Sequence, residues 1–208
     1  MSCHRQEGYH ALLSVVIASL LLNGGIAEAA TTYTMKDIGI NPTAINSTGQ
    51  VLGSNYMLYN NGTLSSIRAM TSPAILTQGF DINTAGQVVG YGSSYGTSAF
   101  VRNSDGTFVN VGVGSDPNFR PATGTAINDA GQVAGRSVTL NTSLYPCAMH
   151  AFLGSISSPV ITDLGSLGGE KTIANDINAS GTIVGNSSVP TLGSLCPTVP
   201  EYHAFVFN

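Results

Sequence analysis

Asp81-Ile-Asn-Thr-Ala-Gly-Gln-Val-Val-Gly90 decides the fold, because the same phrase returns three more times along the chain. The other copies are Ala44-Ile-Asn-Ser-Thr-Gly-Gln-Val-Leu-Gly53, Ala126-Ile-Asn-Asp-Ala-Gly-Gln-Val-Ala-Gly135 and Asp176-Ile-Asn-Ala-Ser-Gly-Thr-Ile-Val-Gly185. Their isoleucines at 45, 82, 127 and 177 are 37, 45 and 50 residues apart, lengths at which one unit of about four strands recurs in propellers. Within a copy, Ile82, Val88 and Val89 are strand formers flanking Asn83-Thr-Ala-Gly86. Asn starts a type I turn through its own side chain, and Gly accepts the positive φ that closes a hairpin with a bulge. Each copy therefore reads as a hairpin tip, with Asn46, Gly49, Asn83, Gly86, Asn128, Gly131, Asn178 and Gly181 as its structural residues.

A second phrase follows: Ala99-Phe-Val, His150-Ala-Phe-Leu and His203-Ala-Phe-Val, with Met57-Leu-Tyr in the weaker first position. A third appears as Asp37-Ile-Gly39, Val109-Asn-Val-Gly112 and Asp163-Leu-Gly165. Turn chemistry at Asn60-Asn-Gly62 and Asn103-Ser-Asp-Gly106 separates the second phrase from the next strand, so a unit is a four-stranded antiparallel meander. The expected architecture is all-β, a propeller-like array of about four small blades around 44–75, 80–112, 125–165 and 175–208. Stacking is required because one such sheet cannot bury its apolar face alone. Phe100, Phe152 and Phe205, one per unit, are expected to pack between blades. Residues 32–39 resemble a fourth strand, which the last unit lacks, so the ends either close the ring in one blade or leave an open arc.

Taken together, Gly-x-Ala-x-x-Ile-Asn-x-x-Gly-x-Val-x-Gly, His-Ala-Phe and Asp-Leu-Gly-x-Leu-Gly-Gly resemble the bacterial extracellular repeat proteins named for the His-Ala-Phe triplet (HAF repeats). The match is closest over Ala126 to Asn178 and extends from about Tyr33 to Asn208. The resemblance implies export and a β-rich, propeller-like fold, and it implies no substrate. Repeats of that family commonly carry a Trp soon after Ala-Phe; here Arg102, Gly154 and Phe207 stand near that position and the chain has no Trp.

The N-terminus agrees with export. His4 and Arg5 precede the apolar run Ala11 to Leu22, and Ala27-Glu-Ala29 offers small residues to signal peptidase, so residues 1–29 are expected to be a signal peptide and 30–208 the β-repeat domain. Twelve apolar residues are too few for a membrane core, which needs about 20 in a helix. The mature chain is thus expected to be secreted or periplasmic, without a membrane span. Only 9 % of residues are charged, with a formal net charge of −4, which excludes a nucleic-acid footprint and a disordered polyelectrolyte. Cys147 and Cys196 remain after cleavage and are expected to form a disulfide, contributing about 4 kcal/mol in the chain-entropy picture.

Chemistry is sparse. His150 and His203 sit in the repeat phrase, where a structural role, for example an imidazole bonding a neighbouring turn carbonyl, is expected over a metal ligand or general base. Asp81 and Asp176 could form a glycosidase pair, but alanine occupies the same position at 44 and 126, which favours turn capping. No catalytic, metal or cofactor residue is assigned. Insertions at Ser137 to Met149 and Ser187 to Tyr202 are expected on one face, gathering Tyr145, Pro146, Pro197 and Tyr202. The expected function is a non-catalytic scaffold or binding module contacting extracellular protein or glycan, with oligomers if the ring is open. A secreted carbohydrate-active hydrolase or lyase on a propeller scaffold is the alternative.

Overall fold

At each Ile-Asn-x-x-Gly stretch the backbone folds back on itself. The glycine takes the left-handed conformation (φ +80° at Gly49, +76° at Gly86, +75° at Gly131, +88° at Gly181), and its N–H donates to the asparagine carbonyl three residues earlier. Side chains with a Cβ avoid that region, which is why glycine recurs there. The computed structural model describes residues 14–15, 33–68, 75–93, 97–111, 119–139, 148–190 and 201–208. Cys147, Cys196, Tyr145, Pro146 and Pro197 lie outside the described residues, as does the expected signal peptide apart from Ser14 and Val15. No helix among the described residues is long and apolar enough to cross a membrane.

The chain divides into two compact units, residues 1–39 and 40–208. In the first, β1 (Ser14–Val15) pairs antiparallel with β2 (Tyr33–Thr34), and the Gly39 N–H donates to Asp37 Oδ1 at 2.8 Å. The second unit is all-β among the described residues, apart from one 3-10 turn at Ser54–Tyr56. Sheet one contains β3 (Pro42–Ile45), β4 (Val51–Gly53), β5 (Met57–Asn60) and β6 (Thr63–Ser66). Sheet two contains β7 (Ile75–Ile82), β8 (Val88–Ser93), β9 (Thr97–Arg102) and β10 (Phe108–Asn110). Sheet three contains β11 (Phe119–Ile127), β12 (Gln132–Thr139), β13 (Ala148–Ser155) and β14 (Ser158–Asp163). Sheet four contains β15 (Thr172–Ile177), β16 (Ile183–Ser188) and β17 (Tyr202–Phe207). Every pairing is antiparallel between strands adjacent in sequence, so each sheet is a meander.

The sheets stack in sequence order. The opening strand of each lies across the face of its predecessor: β7 on β3 and β4, β11 on β8 and β9, β15 on β11 and β12. Three apolar cores result. Leu52 and Ile67 meet Ile82 and Val88 between sheets one and two. Val89, Ala99, Val101 and Val111 meet Ala122, Ile127, Val133 and Phe152 between two and three. Ala126, Ala134 and Ala151 meet Ala174, Ile177 and Ile183 between three and four.

Period-two alternation explains the arrangement. In the phrase Val88-Val89, the first valine faces the preceding sheet and the second faces the following one, so both residues of the pair are buried. A bulge two residues before each phrase isoleucine, between Pro42 and Ala44, Gly79 and Asp81, Gly124 and Ala126, and Ala174 and Asp176, shifts the register of the opening strand against the second. The final glycine of the phrase permits a close cross-strand approach. Gly135 pairs with Phe152, whose ring would lie 2.7 Å from a Cβ built at position 135.

Candidate functional site

The polar residues of the repeat converge on one row of hairpin tips. In the first tip Asn46 Oδ1 accepts the N–H groups of Thr48 (3.1 Å) and Gln50 (2.9 Å), folding the turn around one amide oxygen. Asn128 does the same for Ala130 (3.1 Å) and Gln132 (3.0 Å), and Asn178 for Ser180 (3.0 Å) and Thr182 (2.9 Å). The amide nitrogen has a different task. Asn46 Nδ2 donates to Gln50 Oε1 in its own turn (2.7 Å) and to the Asn83 carbonyl in the next (2.9 Å). Asn83 Nδ2 donates to Gln87 Oε1 (2.8 Å) and the Asn128 carbonyl (3.2 Å), and Asn128 Nδ2 to Gln132 Oε1 (2.7 Å) and the Asn178 carbonyl (3.0 Å). A ladder of side-chain amides thus runs along the stacked sheets, one rung per junction. Buried amide donors and carbonyls of this kind cost about 1–3 kcal/mol each when left unpaired, so every rung constrains the spacing of adjacent sheets.

Further links join neighbouring turns, among them Ser47 Oγ to Thr84 Oγ1 at 2.8 Å. The Thr84 N–H and hydroxyl both donate to the Asp129 carboxylate at 2.8 Å, and these bonds hold its pKa below the usual carboxylate value. Asp81 bridges sheets two and three: Oδ1 accepts the Ile82 N–H (2.8 Å) and Oδ2 accepts the Ile127 N–H of the following sheet (2.9 Å). Asp176 binds its own Ile177 N–H through Oδ1 at 2.8 Å. Asp81 and Asp176 lie in sheets two and four, each anchored to backbone, and are not brought together as a carboxylate pair.

Both described histidines have an acid beside them. His150 Nδ1 lies 2.9 Å from Asp163 Oδ2 and 3.0 Å from Oδ1, joining β13 to the end of β14, and Oδ1 also accepts the Gly165 N–H at 2.7 Å. The His-Ala-Phe and Asp-Leu-Gly phrases of unit three are therefore two halves of one contact. His203 Nε2 lies 3.3 Å from Glu201 Oε1, in an exposed pair on sheet four. Phe152 is fully buried, Phe100 nearly so, and Phe205 half-buried against the third core.

Sequence reading did not single out the glutamines 50, 87 and 132, nor the Thr84 and Asp129 link. The signal for the first was available, since Gln follows the turn glycine in three of four copies. Among the described residues no group of three or more His, Cys, Asp or Glu side chains could hold a metal ion. The arrangement can hold sheets together in register. No protein-family model matches the chain, and no curated protein matches it.

Proposed function

We propose that the chain is an exported β-repeat scaffold of the His-Ala-Phe type, a propeller-like array that works by contact with extracellular protein or glycan rather than by catalysis. One observation carries the reading: three of the four recurring asparagines, and Asp81, are committed to joining units. Asn46, Asn83 and Asn128 each hold a turn and reach the next one, and Asp81 has both carboxylate oxygens on backbone amides of two sheets. A carboxylate so engaged is a poor general acid or base, because proton transfer requires reach to a reacting atom.

The test combines activity with stability. Purified chain is incubated with soluble xylan, pectin, chitosan and starch, with reducing-end release and affinity electrophoresis as readouts. The proposal expects no release by wild type, retardation in at least one gel matrix, and lower thermal stability in Asp81→Asn. Release that disappears in Asp81→Asn or Asp176→Asn with an unchanged circular dichroism spectrum would replace the scaffold with a hydrolase or lyase. Export is checked by N-terminal sequencing of material from the periplasm or medium. A start at Ala30 supports it, and a cytoplasmic chain starting at Met1 removes it.

A further inference from the structure

The four copies of one phrase have different surroundings, and the difference falls at the ends of the stack. The phrase isoleucine faces the preceding sheet: Ile82, Ile127 and Ile177 are 4, 5 and 7 % exposed, whereas Ile45 is 67 % exposed. The residue after the phrase valine faces the following sheet: Leu52, Val89 and Ala134 are 1, 0 and 0 % exposed, whereas Val184 is 43 % exposed and its cross-strand neighbour Val206 64 %. The stack therefore ends on two apolar faces that have inner counterparts, one of the preceding kind and one of the following kind.

These faces match in detail. Across sheet two, Asp81, Val89 and Val101 form one row in register, and that row packs on Ile127 and Val133 of sheet three. Across sheet four, Asp176, Val184 and Val206 form the same row with nothing among the described sheets upon it. Sheet one presents Ile45 and Val51, the equivalents of Ile127 and Val133, in register on its open face. Ile127 follows an alanine and takes its carboxylate partner from Asp81 of the preceding sheet. Ile45 also follows an alanine, and Asp176 has an oxygen, Oδ2, that bonds nothing among the described residues. The amide ladder ends the same way. Among the described residues Asn178 Nδ2 reaches no further turn, and no preceding turn reaches the Asn46 carbonyl.

We infer that a second copy of this chain stacks head to tail on the first, the open face of sheet four against the open face of sheet one, repeating the junction between sheets two and three. Val184 and Val206 cover Ile45 and Val51, Asp176 Oδ2 accepts the Ile45 N–H of the other copy, and Asn178 Nδ2 donates to its Asn46 carbonyl. Thr182 stands where Gln50 and Gln132 lie beside the next turn's glycine, and Ala179 and Ser47 stand where Thr84 and Asp129 pair, so this junction lacks both of those links. Such a face-to-face contact is heterologous: two copies that bury both ends form a closed dimer, and copies that do not close form a filament. This goes beyond the contact role proposed above and does not depend on any ligand.

The experiment uses full-length chain purified from expressing cells, with Ile45→Lys and Val206→Lys variants, studied by sedimentation velocity across about 1–100 µM. Both positions are exposed, so folded secondary structure is expected to survive, as checked by circular dichroism. Wild type is expected as a dimer or larger species. Each variant alone is expected as a monomer, its association weakened at least about a hundredfold by a lysine buried in an apolar junction. An equal mixture of the two variants is expected to re-form a dimer, because one copy keeps its head and the other its tail. Monomeric wild type at 100 µM, an assembly unaffected by either variant, or a mixture that stays monomeric would each overturn the inference.

Discussion

At the residue scale, the asparagine of each of the first three units does two jobs with the two ends of its amide. The oxygen holds its own turn and the nitrogen holds the neighbouring turn, so substitution should cost more where both ends are engaged. Asn83→Ala is expected to lower stability by about 2–4 kcal/mol in urea denaturation, since it leaves buried backbone groups unpaired in two turns. Asn178→Ala is expected to cost about half as much, because its Nδ2 reaches no further turn among the described residues. Equal losses would mean that the inter-unit rung contributes little. Asp129 gives a pH signature. Bonds from Thr84 hold its pKa below the ordinary carboxylate value, so its stabilising contribution is fully present above the unfolded value of about 3.9 and disappears as pH falls through the lower folded value. The stability gap between wild type and Asp129→Asn should thus be open at neutral pH and close in acid. A gap that widened on acidification would contradict the assignment.

At the scale of the strand and hairpin, the phrase encodes turn, bulge and strand contact within about ten residues. Asn and Gly specify the tip locally, so the hairpins were legible from sequence: an αL position needing glycine is a demand of the backbone itself. The final glycine of the phrase was less legible. Its φ is ordinary at Gly135, and glycine is needed there because the Phe152 ring and the Thr123 carbonyl leave no room for a methyl group. Gly135→Ala should therefore destabilise by about 1–3 kcal/mol, the usual cost of overpacking, and the loss should shrink when combined with Phe152→Leu. Additive losses in a double-mutant cycle would place the strain elsewhere. The role of His150 was also hidden, because its partner Asp163 is supplied by the next strand and only pairing in register brings them together.

At the scale of the whole stack, stability should be graded. Sheets two and three are covered on both faces, as the buried pairs Val88 with Val89 and Val133 with Ala134 show, while sheets one and four each leave one face open. In arrays where each unit contacts only its neighbours, protection follows the number of covered faces. Hydrogen exchange is expected to be slowest in β8 and β12 and faster in β4 and β16. Head-to-tail assembly would narrow that difference in wild type and leave it wide in Ile45→Lys. Uniform protection across the four sheets in that monomeric variant would show that the units fold as one block.

Amino-acid order alone determined the strand class, the hairpin tips and the spacing of the units, because turn conformation and two-residue alternation depend on neighbours a few positions away. Only the tertiary structure decided what those repeated residues touch. Asn46, Asn83, Asn128 and Asn178 hold the same place in the phrase, yet among the described residues three reach a following turn and one does not. Ile45 reads like Ile127, yet one is open and the other lies under Val89 and Val101. The reason is physical: burial and inter-sheet bonding arise between segments some 37 to 50 residues apart, so identical phrases acquire different energies from their place in the stack.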